Sequence, residues 1–115
     1  MDVYGFVFFQ ISQLPTNRQK QEWDPEKAKA NLRKHGISFP EAATVLRDLL
    51  GITVFDPDHS KDEDRYLTIG TSERGRVLMV AHTERGNRIR IISARELTRA
   101  ERAQYEEEIR KRQKR

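Results

Sequence analysis

The chain has 115 residues, a formal charge of +4 and 35% charged residues, which bounds it to one domain with a modest core and a densely charged surface. It has no cysteine, which excludes disulfides, thiolate zinc sites and a cysteine nucleophile. No apolar run approaches the roughly 18 residues of a membrane span. The apolar stretch 3–9 also lacks the flanks of a secretory signal, so a soluble cytoplasmic protein is expected.

Residues 1–20 read as an N-terminal extension or linker, with a strand or flap at 3–11 and a polar segment at 10–21 that holds Pro15. The domain is expected over 21–115, its folded part opening at Trp23. Asp24-Pro25-Glu26 is a helix start: Asp caps, Pro suits the first turn, and Glu faces the positive end of the helix dipole. The helix is expected to end at His35, with Gly36 as a left-handed cap. Ala28, Leu32 and His35 share its apolar face, and Asn31 borders it. Ser38-Phe39-Pro40-Glu41 matches a capping box and predicts a second helix with Ala42, Val45, Leu46 and Leu49 as its stripe and Gly51 as its stop. Strands are predicted at 52–55, 65–71, 76–83 and 88–94, the last two connections being short and carrying glycine. Thr98-Arg99-Ala100-Glu101 is a further capping box, opening a helix to about Arg112. The fold class is therefore α+β: two N-terminal helices, an antiparallel meander of about four strands and a C-terminal helix.

Charge is unevenly spread. Residues 48–64 sum to −5, whereas residues 65–95, the block with the strongest strand signals, sum to +5. Cations fixed on a sheet favour a polyanion, although a solvated surface accounts for them equally well. Two motifs fail on inspection. Gly70 to Val77 nearly matches a phosphate loop, but Arg76 replaces its lysine, Val77 lacks the metal-binding hydroxyl and a strand follows, so it reads as a hairpin turn. The acidic segment 56–64 has Lys61 and Leu67 where a calcium loop needs Gly and Glu, so it reads as a solvated loop without metal.

Strand alternation places Arg88, Arg90 and Ile92 on one face and Ile89, Ile91 and Ser93 on the other. Tyr66 and Thr68 share a face, and His82 shares one with Leu78 and Val80. One sheet could thus gather Arg, His and Tyr around a phosphate, Arg as a planar fork and His as a proton carrier. Each has a simpler account as well. His82 fits a core or strand-end position, Arg88 and Arg90 fit cross-strand ion pairs, and Lys34 and His35 complement a helix C-terminus.

Two long strings carry a resemblance: Glu22-Trp-Asp-Pro-Glu-Lys-Ala-Lys-Ala-Asn-Leu-Arg-Lys-His-Gly-Ile-Ser-Phe39 and Ala81-His-Thr-Glu-Arg-Gly-Asn-Arg-Ile-Arg-Ile-Ile-Ser-Ala-Arg95. Over about residues 22–108 the chain resembles the BrnT family of bacterial type II toxins. Gln21, and Leu49 in the Asp48-Leu49 pair, depart from the family pattern. The resemblance implies a RelE-like fold and a metal-independent endoribonuclease that needs no cofactor and arrests translation. It also implies a BrnA-type ribbon-helix-helix antitoxin, through which alone the toxin reaches operator DNA.

For cleavage of RNA by its own 2′-hydroxyl, the candidate phosphate clamps are Arg65, Arg88 and Arg90, and the first candidate for proton transfer is His82. Lys34, His35 and Tyr66 are substrate-binding candidates with proton transfer in reserve, and Ser93 and Arg95 are expected to orient the substrate. The competing class is a non-catalytic module that binds nucleic acid or an antitoxin.

Overall fold

The computed structural model describes residues 20–114. The expected strand at 3–11 and most of the linker lie outside the described residues. Among the described residues five strands form one sheet: β1 (Lys20–Glu22), β2 (Ile52–Phe55), β3 (Arg65–Thr71), β4 (Val77–Arg85) and β5 (Arg88–Glu96). Its order is β1-β5-β4-β3-β2. Three helices accompany it, α1 (Pro25–His35), α2 (Phe39–Val45) and α3 (Arg99–Gln113). Among the described residues no helix is long and apolar enough to cross a membrane.

The four antiparallel strands of the meander are present, but the sheet is mixed. Lys20–Glu22, expected to join a linker to the domain's first residues, forms an edge strand parallel to β5, with Glu22 opposite Arg90. Three residues carry too little alternation to read as a strand, and Glu22 is held there by Arg88 and Arg90 at 3.4 and 3.3 Å.

Helix α1 begins as its sequence dictates. The Asp24 carboxylate accepts from the Glu26 amide at 3.0 Å, and Gly36, at φ 71°, donates its amide to the Leu32 carbonyl. That left-handed backbone is one glycine adopts without a Cβ penalty. The buried residue of α1 is Asn31, whereas Leu32 is 52% exposed. The Asn31 carboxamide donates to the carbonyls of Ile37 and Ala94 at 3.0 and 2.8 Å and accepts from the Ala94 amide at 3.1 Å. The two bonds to Ala94 rivet α1 to β5, and the one to Ile37 ties it to the segment that leads into α2.

Helix α2 is shorter than its apolar stripe implies. Ser38 caps the Glu41 amide, but the Glu41 side chain does not return to close a box. It turns inward, accepting from the Arg76 guanidinium and from the Ser72 hydroxyl at 2.7 Å. The Arg76 fork holds the Glu41 carboxyl below its usual range against the opposing effect of burial. Past Val45 the chain tightens, and the Asp48 carboxylate accepts from the amides of Leu50 and Thr71. Leu49 is left 93% exposed. The approach of Asp48 leaves little room at Gly70, where a Cβ would stand 3.0 Å from Asp48 Oδ2. The 70–77 segment is the hairpin turn its sequence implies, closed by the Ser72 amide donating to the Arg76 carbonyl.

Apolar side chains fill both faces of the sheet. Ile37, Phe39 and Val45 pack on Leu78, Val80, Ile89 and Ile91 on one face, with Trp23 set edge-on against Phe39 at 5.9 Å. Tyr105 and Ile109 of α3 cover Ile52, Leu67, Ile69 and Met79 on the other. Thr98 and Glu101 form the complete capping box of α3.

The register shifts between Ala81 and His82, so Ala81 pairs with Ser93 while His82 pairs with Ile91. Ile92 is the extra residue of a β-bulge, which resets the alternation beyond it. Arg88, Arg90, Ser93 and Arg95 therefore lie on the α3 face of the sheet, and Ile89, Ile91 and Ala94 on the other. This corrects strict alternation, which had put Ser93 opposite Arg88 and Arg90.

Candidate active site

On the α3 face a recess of about 320 Å³ opens beside the helix, lined by Lys34, His35, Asp56, His59, Arg65, Leu67, Met79, Ala81, Ile92, Ser93 and Arg95. Leu67, Met79 and Ala81 are apolar, and the polar groups come from four elements. The C-terminal end of α1 brings Lys34 and His35. The first residue of β3 is Arg65. The bulge in β5 turns Ser93 and Arg95 toward the recess, and a 3-10 turn at Pro57–His59 brings His59.

Arg65 forms no ion pair among the described residues, although its backbone is firmly held. The Arg65 amide donates to Ser60 Oγ at 2.9 Å, Ser60 Oγ donates to the Asp56 carbonyl at 2.5 Å, and the Asp56 amide donates to the Arg65 carbonyl at 2.9 Å. An uncommitted guanidinium on a fixed strand end is suited to a planar anion with paired oxygens. Arg95 is committed: its fork donates to both oxygens of Glu101, at 2.8 and 2.9 Å. That pairing holds the Glu101 carboxyl below its usual range and fastens α3 to the wall of the recess.

Arg88 and Arg90 do not line the recess. They share the sheet face of Arg65, since Arg65 pairs with Thr83 and Thr83 with Arg90. Two interstrand spacings, about 10 Å, separate Arg65 from Arg90. Both arginines lean on Glu22, the cross-strand pairing that was their simpler reading.

His82 and Tyr66 lie on the opposite face, stacked at 6.1 Å. The expected meeting of Arg, His and Tyr around one phosphate is therefore not what the sheet builds, because residues paired across β3 and β4 put Tyr66 and His82 on the side packed by α1 and α2. His82 is fully buried. Its Nε2 shares a 2.7 Å hydrogen bond with Thr68 Oγ1, itself 2.8 Å from Thr53 Oγ1. Burial pushes its pKa down to about 4, so the ring is neutral in the fold and cannot reach a ligand in the recess.

Because the unfolded ring titrates near 6.5, the unfolded state binds more protons below that pH. Stability is full above pH 6.5 and falls progressively toward pH 4, by on the order of 3 kcal/mol. Urea unfolding between pH 4 and 7 is expected to show this slope, and His82→Phe to flatten it.

Sequence reasoning missed His59 and Asp56. Asp56 is buried at 3% exposure, and its Oδ2 accepts from His59 Nδ1 at 2.9 Å. The signal was in Asp56-Pro-Asp-His59. A proline at the first helical position makes a tight turn, which returns residue i+3 onto residue i. Among the described residues no group of three or more His, Asp or Glu is placed to hold a metal ion.

Residues 23–101 match the family model described as "Ribonuclease toxin, BrnT, of type II toxin-antitoxin system". The chain belongs to the BrnT ribonuclease toxin family. The fold is similar to that of the Brucella abortus ribonuclease toxin BrnT, a crystal structure with 24% identity and a TM-score of 0.53. The match covers 70% of this chain and 99% of that chain. No curated protein matches the chain. Membership of the BrnT family makes the chain a ribonuclease toxin of a type II system, with an antitoxin as its partner.

Proposed function

We propose that the chain is a metal-independent endoribonuclease that cleaves RNA in the recess beside α3 and so inhibits translation in the cytoplasm. The observation that carries this reading is the Arg65 guanidinium, unpaired among the described residues in the lining of that recess, with Lys34, His35 and Ser93 around the same space. Cleavage by the neighbouring 2′-hydroxyl requires a held phosphate and donors for the charge that grows on it. Arg65 and Lys34 supply that charge, and Ser93 supplies a hydroxyl.

Arg88 and Arg90 extend the cationic row toward β1. They act on flanking phosphates, for which they exchange Glu22. Tyr66 and His82 support β3 and β4 from the far side, and Arg95 supports the wall through Glu101. The architecture is one we read as RelE-like. The partner is a BrnA-type ribbon-helix-helix antitoxin, and binding of operator DNA belongs to the complex of the two.

The test is purified protein incubated with RNA in EDTA. Discrete fragments ending in a 2′,3′-cyclic phosphate are expected. RNA retained without cleavage would instead make the chain a binding module.

A further inference from the structure

The proposed reaction lacks a proton acceptor once His82 is withdrawn from the recess, and the geometry points to His59. This inference rests on the reading that the recess is the cleavage site. We propose that His59, held by Asp56, takes the proton of the attacking 2′-hydroxyl, and that His35, which lines the same recess, protonates the leaving 5′-oxygen.

Three observations carry it. His59 lines the recess that Arg65 lines, and its side chain is 55% exposed, so the ring is open to a ligand. Its Nδ1–H donates to Asp56 Oδ2 at 2.9 Å, which leaves Nε2 as the lone-pair nitrogen of the neutral ring. Asp56 is itself fixed: its amide and carbonyl are tied to Arg65 and Ser60. Its second oxygen, Oδ1, is buried without a hydrogen-bond partner among the described residues. A carboxylate buried at such cost with one oxygen spent on a histidine orients the ring and balances the charge the ring acquires. The loop that carries the pair also positions Arg65, so one set of hydrogen bonds ties the proton acceptor to the phosphate clamp.

The step balances without redox. His59 Nε2 takes the proton from the 2′-hydroxyl as the 2′-oxygen bonds to phosphorus. The bond from phosphorus to the 5′-oxygen breaks, and that oxygen keeps the electron pair and takes a proton from the His35 imidazolium. The products are a 2′,3′-cyclic phosphate and a 5′-hydroxyl. His59 ends protonated and His35 neutral, and solvent exchange resets both. Lys34 and Arg65 hold the phosphorane charge throughout.

Single-turnover cleavage of an RNA oligonucleotide in EDTA, at saturating protein, tests the assignment. His59→Ala and His59→Gln are each expected to slow cleavage by about 10²–10⁴-fold. Affinity for the 2′-deoxy analogue should stay within about threefold of wild type. A substrate whose 5′-oxygen is replaced by sulfur leaves without protonation, so it should restore His35→Ala and not His59→Ala. Asp56 is a positioning residue, and its readout is the ring's nitrogen spectrum. Asp56→Asn should convert a single Nδ1–H tautomer of His59 into a mixture.

Cleavage by His59→Ala within about threefold of wild type would overturn the inference. If Arg65→Ala is inactive in the same assay, the recess stands as the site and only His59 falls. If both variants cleave normally, the site itself falls.

Discussion

Arg65→Ala is expected to slow single-turnover RNA cleavage by about 10²–10³-fold, the usual cost of removing one oriented donor from a developing oxyanion. Its thermal midpoint should not change, because the Arg65 side chain forms no ion pair among the described residues, and its backbone bonds to Ser60 and Asp56 survive truncation. Expression in cells should show the same loss as relief of growth arrest. Arg88→Ala is the informative contrast. Arg88 is paired with Glu22 and stands outside the recess, so its loss should weaken RNA binding and lower the slope of affinity against salt by about one ion. The chemical step should be nearly untouched. Equal losses in the cleavage step for the two variants would mean that the phosphate lies over β5 and not at the end of β3.

Asn31→Ala is expected to cost about 3–5 kcal/mol in urea unfolding, since it strands three backbone groups at once, each worth about 1–3 kcal/mol when left unpaired. The groups are the Ala94 amide, the Ala94 carbonyl and the Ile37 carbonyl. Against a total stability of about 5–15 kcal/mol for a domain, that is a large share. Leu32→Ala, one residue along and 52% exposed, should fall within about 0.5 kcal/mol of wild type. Activity should fall with Asn31 as well, because α1 carries Lys34 and His35 to the recess and Ala94 follows Ser93 on its wall. A cost for Asn31→Ala no larger than that for Leu32→Ala would show that α1 is held to the sheet by apolar packing alone.

The sequence made legible those features whose physics is local. Asp24, Pro25 and Gly36 delimit α1 as capping chemistry requires, and Thr98 with Glu101 closes the box of α3. The four antiparallel strands announced themselves by alternation and by glycines in the turns. Features decided by distant partners stayed hidden. Glu41 fits a capping box by spacing, yet Arg76 and Ser72 draw it inward. Asn31 looked like a border residue because its partners lie 6 and 63 positions away. β1 is three residues long, and its partner strand is the last in the chain.

The candidate site divided in the same way. Arg65, Lys34, His35, Ser93 and Arg95 meet in one recess, although they come from separate strings. The bulge at Ile92 is what brings Ser93 and Arg95 to that face, and strict period-two counting cannot foresee it. A histidine on a cationic sheet suggests proton transfer, but pairing with Ile91 and Tyr66 commits His82 to the face packed by α1 and α2. His59 stands inside an acidic run whose charge count disguises the specific contact between Asp56 and the ring.

Nuclear magnetic resonance with an uncleavable strand shows whether RNA lies in the recess beside α3. A 2′-O-methyl RNA oligonucleotide would be titrated into isotope-labelled protein while the Arg65 guanidinium, the His59 ring and the Ser93 amide are followed. Saturable shifts at all three, with the His82 ring unmoved, are the predicted result. Shifts confined to the face of Tyr66 and His82, or to α2, would mean that RNA binds outside the recess.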